Sequence, residues 1–268
     1  MRKRLLINIA SALLLARWKQ TLVAAVGVTF SITMFITLLS FMSGLNDLLD
    51  GLILNRTAHV RIYNDIKPNA NQPINKVAAY KEGHNFIGSI KSDGNRQAIY
   101  NSDAIMKALH KDPRVLGLSP KLTAQVFFND GTVDITGSIF GINAAEEVKL
   151  FHFDDYITSG NSADLNKVSN SIILGKGLAD KLLVQIGDGV QITTSKGERF
   201  QLKVVGTFQS GIKDFDNVQS YTSINTAQKI LSVPSDYITS IQVKLKDIKL
   251  APAVAKEYEK LYQADAED

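Results

Sequence analysis

The longest apolar stretch of the chain runs from Thr21 to Met42 and contains no charged residue. At a rise of about 1.5 Å per residue, a helix over this stretch is about 33 Å long, which matches the roughly 30 Å hydrocarbon core of a bilayer. The pattern therefore predicts a transmembrane helix, which we place at residues 21–44.

A shorter apolar run, Leu5–Ala16, precedes this span and ends at the polar group Arg17-Trp-Lys19. Its length is typical of a signal peptide, but cleavage after it would leave a second complete span at the new N-terminus. We therefore favour a cytoplasmic or interfacial helix within residues 1–20, with the indole of Trp18 at the headgroup level. The signal peptide is kept as the alternative.

Beyond the span, apolar residues keep a helical spacing through residues 45–58, which predicts a stalk. Strand and helix patterns then alternate. The elements predicted in this part are a strand at 59–63, mostly loop over 64–101, a helix from a cap at Ser102 or Asp103 to His110, and a hairpin of 121–129 with 132–142 around Asp130-Gly131.

From about residue 139 the pattern changes to short strands separated by turns, before a strand and a helix end the chain. The predicted elements are strands at 171–175, 190–194, 199–208 and 220–224, helices at 178–183 and 225–231 (capped by Asn225), a strand at 238–246 and a helix at 252–263. The order predicts an α+β fold in which a β-rich unit, 139–235, is inserted into a mixed α/β unit, 59–138 plus 236–268.

The formal charge of +4, from 30 basic and 26 acidic residues, is unevenly distributed. Five bases and no acid lie in residues 1–44, and the remainder carries a net −1. This disfavours nucleic-acid binding, which needs bases clustered on a folded face. By the positive-inside rule, the N-terminus is expected in the cytoplasm and everything after about residue 45 outside it.

Candidate chemistry is sparse. The chain has no cysteine, which excludes disulfides, thiolate metal sites and a cysteine nucleophile. It has no Walker phosphate loop and no Gly-x-Ser-x-Gly elbow, and its four histidines are scattered. The acid pairs Glu146/Glu147, Asp154/Asp155 and Asp214/Asp216 are the weak candidates for acid–base or calcium chemistry. We predict no catalytic residue, no metal site and no cofactor in this chain.

Small and hydroxyl side chains recur along the predicted span, and such residues let helix backbones approach each other closely. Gly27 and Ser31 are the pair that we expect to pack against other helices. Others of the same character are Thr29, Thr33, Thr37 and Ser40. A lone membrane anchor needs none of them.

Near the outer end of the span, Leu38, Phe41, Met42 and Leu45 follow the spacing i, i+3, i+4 and i+7, which places them on one side of a helix. Contact with lipid or with another helix is one interpretation of this stripe. The functional interpretation is a contact surface for a hydrophobic substrate.

Two stretches resemble a known family. The stretch from Gly27 through Leu-Ser-Phe-Met-Ser-Gly-Leu45 is similar to the first transmembrane helix of the lipoprotein-releasing ABC permeases, LolC and LolE. The second stretch is similar to the periplasmic domain that those permeases share with the wider MacB/FtsX-like group. It comprises Ile173-Leu-Gly-Lys-Gly-Leu-Ala, Ile186-Gly-Asp188, Phe200 through Val-Val-Gly-Thr-Phe-Gln-Ser-Gly211, and Asp214-x-Asp216.

The resemblance implies a fold and a function. Residues 59–138 plus 236–268 would form the Porter-like subdomain and 139–235 the inserted Sabre-like subdomain. The chain would be a non-catalytic permease subunit in the bacterial inner membrane. It would work with a second permease copy or a paralogue and with a cytoplasmic ATPase that holds ATP and magnesium. Its substrate would be a lipoprotein or another hydrophobic molecule, whose acyl chains would contact Leu38, Phe41, Met42 and Leu45.

The sequence departs from this family in two ways. A long hairpin, the Hook, captures a periplasmic carrier in one permease of the family, whereas Thr193–Gln201 here predicts only a short turn at Lys196-Gly197. The family has four transmembrane helices, three of them after the periplasmic domain. We therefore expect this chain to be the truncated N-terminal part of such a permease.

Three other functions stay open at this point. The short hairpin favours MacB-like efflux or FtsX-like mechanical signalling. A membrane-anchored periplasmic binding module would need no ATP, but it would not need the small residues of the span either. An enzyme is the most distant alternative.

Overall fold

The computed structural model describes residues 5, 9, 11–12, 14–49, 56–68, 72, 74, 77, 97–130, 133–262 and 264–267. The chain divides into two compact units, Met1–Ile53 and Leu54–Asp268. The second unit is the body of the protein.

One long helix, α1 (Trp18–Leu49), dominates the first unit. Within the described residues, Trp18–Asn46 is the one helical segment long and apolar enough to cross a membrane. Its large apolar side chains are exposed on every side of the helix, as expected for a segment whose surroundings are lipid or other helices. The predicted span lies inside α1, and the helix continues to Leu49 into the predicted stalk. The rest of the stalk as far as residue 55 lies outside the described residues.

The run before α1 is helical at each described position, namely residues 5, 9, 11, 12 and 14–16, and Arg17 forms a turn. Thr21 supports this turn, because its backbone N–H donates to the carbonyl of Arg17 at 3.1 Å. Its hydroxyl also lies 3.2 Å from that carbonyl oxygen. Two helical segments therefore meet at Arg17. The orientation of the first segment on a membrane surface stays a prediction.

The body contains ten strands and seven helices within the described residues. The strands are β1 (Val60–Tyr63), β2 (Val115–Asp130), β3 (Val133–Ile142), β4 (Ile157–Gly160), β5 (Ser171–Gly175), β6 (Gly189–Thr194), β7 (Arg199–Phe208), β8 (Gln219–Ser223), β9 (Ser240–Leu245) and β10 (Asp265–Glu267). The helices are α2 (Ser102–Lys111), α3 (Ala144–Phe151), α4 (Asp164–Lys167), α5 (Lys176–Lys181), α6 (Lys213–Asp216), α7 (Ile224–Leu231) and α8 (Ala251–Tyr262), with 3₁₀ turns at Phe153–Tyr156 and Ile248–Leu250.

All ten strands belong to one sheet in the order β10-β1-β9-β2-β3-β8-β5-β7-β4. Strand β6 pairs with both β2 and β7, so β2, β3, β8, β5, β7 and β6 close into a six-stranded ring. The long strand β2 links the two parts of the sheet. Its first half pairs with β9 in the open part, and its second half belongs to the ring.

Separate apolar cores fill these two parts. Helices α2 and α8 cover the open part with a core around Ile62, Leu109, Val243 and Tyr258. The ring encloses a second core, to which alternate residues of β2 and β6, such as Phe128 and Ile192, contribute. The body is one compact unit. The division into 59–138 plus 236–268 and 139–235 stays a prediction.

Strand β2 is longer than predicted, because it begins at Val115 and not at residue 121. Gly117, which reads in the sequence as a residue that ends the preceding helix, is part of this strand. A Cβ on Gly117 would lie 2.5 Å from Leu150 Cδ2, so glycine is what lets α3 pack closely on β2. Tertiary packing therefore outweighs the local turn signal.

Two predicted helix caps are wrong. The N-cap of α2 is Asn101, in the left-handed region at φ 55°, and not Ser102 or Asp103. The Ser102 hydroxyl instead donates to the carbonyl of Asp236 at 2.8 Å, because the loop between α7 and β9 lies beside it. The cap of α7 is Ser223, whose oxygen accepts from the N–H of Thr226 at 3.2 Å, and not Asn225.

Helix α3 and strand β10 were not predicted. The sequence before α3 reads as the start of a β-rich region, yet Asn143 caps this helix by accepting from the N–H of Ala145. Strand β10 has three residues and exists through pairing with β1. Neither element carries a local signal strong enough to separate it from loop.

Candidate functional site

The side chains predicted to contact other helices and those predicted to contact substrate share one face of α1. With about 100° of rotation per residue, six side chains project within about 50° of a common direction: Gly27, Ser31, Leu38, Phe41, Met42 and Leu45. We call these six residues the small-to-bulky face, because its first half carries small side chains and its second half large ones.

The bulky half of this face is exposed. The exposed fraction is 65% for Phe41 and 50% for Met42, and Leu38 and Leu45 are also exposed. An apolar surface of this kind is stable only when lipid, another helix or a hydrophobic ligand covers it. Methionine and phenylalanine side chains adapt to varied apolar shapes. The surface suits contact with a hydrophobic partner, and its role in binding acyl chains stays a prediction.

The small half of the face leaves room for a neighbouring helix. A Cβ placed on Gly27 would meet no atom within 4 Å. The Ser31 hydroxyl donates to the carbonyl of Gly27 at 2.9 Å, so it adds no unsatisfied group in an apolar environment. The Thr37 hydroxyl does the same with the carbonyl of Thr33 at 2.8 Å.

The second family-like stretch forms a junction inside the body. A Cβ on Gly175 would overlap the carbonyl oxygen of Asp216, and one on Gly177 would overlap the side chain of Asn217. The buried carboxylate of Asp216 accepts from both the N–H and the hydroxyl of Ser210 at 2.7 Å. These motif residues hold α6 against the end of β5, so the structure gives them a packing role.

At least one member of each acid pair of the sequence is held by a neighbouring group. Glu147 accepts a hydrogen bond from the Ser119 hydroxyl at 2.8 Å, and Asp155 forms an ion pair with Arg56 at 3.0 Å. The part of the chain that the structure describes contains no group of three or more histidine and acidic side chains able to hold a metal ion. The lack of a catalytic residue or cofactor remains a prediction.

The hairpin at the position of the Hook is short. Strands β6 and β7 are joined by residues 195–198, and Gly197 provides the positive φ of 82° that the turn requires. The N–H of Gly197 donates to the carbonyl of Thr194 at 2.9 Å and closes the turn. The hairpin has the length that the sequence predicts.

A charged cluster fastens α8 to the loop before β2. Arg114 donates to Asp112 at 2.7 Å and to Glu257 at 2.8 Å, and the Tyr258 hydroxyl donates to Asp112 at 2.9 Å. The hydrogen bonds from Arg114 hold the pKa of Asp112 well below its usual range. Burial, followed by the bond to Asp112, raises the pKa of Tyr258. The sequence gives no signal for this cluster, because its members come from distant segments.

Comparison with known proteins identifies the same families as the sequence motifs. The profile of the MacB-like periplasmic core domain matches residues 21–261. The lipoprotein-releasing system transmembrane protein LolC of Neisseria meningitidis is 24% identical over 244 residues, covering 87% of this chain and 51% of that protein. The LolE protein of Haemophilus influenzae is 22% identical over 232 residues, covering 84% and 49%.

The chain thus spans about half the length of these curated relatives. Among solved structures, the extracellular domain of the noncanonical ABC-type transporter YknZ from Gram-positive bacteria superposes with a TM-score of 0.50 at 12% identity, covering 78% of this chain and 100% of that domain. At this identity the likeness concerns the fold alone. The predicted fold class and the resemblance to LolC/LolE-type permeases are confirmed.

Proposed function

The chain belongs to the family of MacB-like periplasmic core domains, and on that basis we propose that it is a permease subunit of an ATP-driven ABC transporter that releases lipoproteins from the bacterial inner membrane. The observation that carries the proposal is the similarity to LolC over 87% of the chain. The family profile, over residues 21–261, includes both the apolar helix and the body. The subunit itself is non-catalytic. A separate cytoplasmic ATPase binds ATP and magnesium.

The charge distribution supports an orientation for this subunit. The five bases of residues 1–44 precede or flank the apolar part of α1, and the first acids follow it. In this orientation the N-terminus is cytoplasmic and the body, after about residue 45, is periplasmic. The apolar helix and the relatives together support a membrane localisation.

The small-to-bulky face supplies a physical rationale for two contacts of α1. Its small half, at Gly27 and Ser31, suits close packing against a helix of the same subunit or of a second permease copy or paralogue. Its bulky half, at Leu38, Phe41, Met42 and Leu45, suits contact with the acyl chains of a lipoprotein. Both contacts lie on one side of the helix. A second helix packed closely against the small half would therefore be held away from α1 at the bulky half, which would leave a wedge-shaped space for acyl chains.

One observation favours a second candidate function. The four-residue connection between β6 and β7 is too short to enclose a carrier protein, as the Hook of a carrier-binding permease does. A transporter without carrier capture would fit MacB-like efflux or FtsX-like mechanical signalling. A docked periplasmic carrier therefore forms no part of our main proposal.

A function of another class is a membrane-anchored periplasmic binding module that works without ATP. Such a module needs its span only as an anchor. The small and hydroxyl side chains that recur between residues 27 and 40 speak against it, because an anchor surrounded by lipid has no use for helix-packing positions.

Site-specific photo-crosslinking in cells tests the proposal. A photoreactive amino acid at position 42, on the bulky half of the face, is expected to form adducts with lipoproteins. Position 40 is the matched control, because Ser40 lies two residues away, about 200° around the helix from Met42, and is equally exposed to the membrane region. The full-length permease should be used together with its ATPase.

Lipoprotein adducts at position 42 that diminish when ATP is hydrolysed and persist when hydrolysis is blocked would support release. Equal labelling at positions 40 and 42 would contradict a directional acyl contact. Adducts with only a small-molecule substrate, or with a cell-wall hydrolase, would replace the proposal with efflux or signalling. Purification of the subunit without any ATPase would favour the binding module.

A further inference from the structure

The body contains an aromatic cavity of about 390 Å³ on the side of the sheet that α3 covers. Strands β2, β7, β8 and β9 form its floor, and the 3₁₀ turn after α3 forms one wall. Its aromatic lining is Phe151, Phe153, Tyr156, Phe208, Phe215 and Tyr221. The volume lies in the range of small-molecule sites, which are mostly apolar with a few polar groups that orient the ligand.

The rings around Tyr221 form an ordered cluster. Its ring centroid lies 4.8 Å from that of Phe153 and 4.9 Å from that of Phe208, both in edge-on geometry. Phe140 adds a tilted contact at 5.6 Å. Pairs with this geometry are favourable beyond the area they bury, so the rings are fixed before any ligand arrives.

Lys121 places its ammonium group among these rings. Its Nζ lies 4.8 Å from the centroid of Phe140 and 5.7 Å from that of Tyr221. Burial lowers the pKa of Lys121, although the charge of Glu147 acts in the opposite direction. Within the described residues, Nζ forms no hydrogen bond and has no carboxylate within 4 Å. The two rings are its aromatic neighbours.

A second lysine of the body, Lys244, differs from Lys121 in its hydrogen bonding. The Nζ of Lys244 also lies near a ring, 5.3 Å from the centroid of Phe151, but it donates to the carbonyl of Leu150 at 2.8 Å. That bond ties β9 to the end of α3. Lys121 makes no equivalent bond to the protein, so its donors point into the cavity.

The other charges of the cavity are already engaged. Arg56 pairs with Asp155 at 3.0 Å and lies over the ring of Tyr156. Glu147 accepts from Ser119 at 2.8 Å. Among the charged side chains that line the cavity, Arg56 has its charge paired with a carboxylate, whereas Lys121 is the cation with no carboxylate within 4 Å.

We propose that this cavity binds a small organic monocarboxylate with an aromatic body. The carboxylate would accept from Nζ of Lys121, and the body would pack against the rings of Phe153, Phe208 and Tyr221. A single negative charge matches the single available ammonium. A doubly charged phosphate would be repelled by Glu147 in the same enclosed space.

The cavity also has an apolar rim through which a ligand of this kind can enter. Ile212 and Phe215, at the start of α6, line it and keep exposed fractions of 52% and 45%. The proposal concerns the body by itself and does not depend on the transport function, so either could fail without the other.

Ligand binding to the full chain in detergent tests the proposal, with calorimetry as the readout. The probe is 3-phenylpropionate, and its controls are the neutral 3-phenylpropan-1-ol and the cationic 3-phenylpropylamine. We expect the carboxylate to bind at least tenfold more tightly than the alcohol, and the amine not to bind measurably.

Two variants separate the charge from the fold. Lys121→Met keeps the length and apolar stem of the side chain, and it should reduce the carboxylate affinity at least tenfold, to that of the alcohol. Lys149→Met is the matched control, because Lys149 is exposed on α3 and does not line the cavity. The affinity of this variant for 3-phenylpropionate should stay within twofold of that of the unmodified chain.

A third variant, Phe208→Leu, should weaken binding of the carboxylate and of the alcohol by a similar factor, because it alters only the apolar wall.

The proposal is overturned if the chain binds none of the probes at millimolar concentration or binds all three equally well. Tighter binding of the amine, or an unchanged carboxylate affinity in Lys121→Met, overturns it as well. The thermal midpoint of each variant is measured alongside, and Lys121→Leu replaces Lys121→Met if the latter does not fold.

Discussion

Glycine serves opposite purposes in α1 and in the body. Gly175 is surrounded so closely that a Cβ would overlap the backbone of Asp216, whereas Gly27 has open space within 4 Å of the same position. The body has completed its packing with its own residues. In α1, no atom of the described residues occupies the space around the Cβ position of Gly27.

Phenylalanine shows the same contrast. Phe128 on β2 is fully buried in the ring, while Phe30 on α1 is 69% exposed. Apolar burial therefore stabilises the body directly, but in α1 it depends on lipid or on other helices. Substitutions should separate the two regions, because those in the body change its unfolding and those in α1 change assembly.

The largest expected effect comes from truncating a ring in the body. Phe128→Ala should lower the free energy of unfolding by about 3–5 kcal/mol, because it leaves a cavity in the closed ring. Phe30→Ala should change it by less than about 0.5 kcal/mol. Urea denaturation of the full chain in detergent measures both. Equal losses would show that α1 is packed within the body's cooperative unit.

Next in size is the charged cluster at α8. Asp112→Asn should cost about 2 kcal/mol, because Arg114 and Tyr258 lose a charged acceptor. The exposed Asp103→Asn on α2 is its control.

This cluster also predicts a pH dependence. Because Arg114 lowers the pKa of folded Asp112 below that of the unfolded chain, its contribution is complete above about pH 5 and is lost as the pH falls. The unmodified chain should therefore lose more stability between pH 5 and pH 2 than Asp112→Asn does. Parallel pH profiles would argue against the cluster as the cause.

A methyl group at the Gly175 junction should have a somewhat smaller effect. Gly175→Ala should cost about 1–2 kcal/mol, since α6 must shift away from the end of β5. Gly187→Ala is unsuitable as a control, because Gly187 has a φ of 101° that alanine rarely adopts. Gly27→Ala is suitable, and it should leave thermal unfolding of the body unchanged.

The smallest effect on unfolding is expected from filling the small half of the α1 face. Gly27→Leu with Ser31→Leu should leave the free energy of unfolding within about 0.5 kcal/mol, but weaken assembly of the permease several-fold. Thr29→Leu with Thr33→Leu, on the other side of the helix, is the control. Crosslinking of subunits in membranes measures assembly, and intact assembly in the first pair would favour the plain anchor.

Individual strands of the body were predictable where the local sequence pattern was strong. Short runs of β-branched and apolar residues bounded by turn residues predicted the hairpin of β2 and β3 and the strands β5 to β9. The predicted cap at Ser102 was wrong because its hydroxyl bonds to Asp236, which is distant in sequence. The start of β2 was predicted too late because Gly117 signals a turn locally, whereas the folded protein accommodates it in the strand beside α3.

The residues of the candidate surface on α1 were predictable from the sequence, but their position on one common face was only partly predictable. Its six residues were singled out as a packing pair and a stripe, and the continuity of one helix from Trp18 to Leu49 is what places both on a single face. The aromatic cavity was not predicted at all. Its lining residues are separated by up to 186 positions, from Arg56 to Gln242, and no local spacing brings them together.

The sequence alone determined the apolar span, its charge asymmetry and the family, because these depend on composition and on motifs read along the chain. Only the tertiary structure decided that six strands close into a ring, that Gly175 is a packing position and that Lys121 faces a cavity. These properties depend on contacts between residues far apart in the chain, whose free energies appear only when the segments meet.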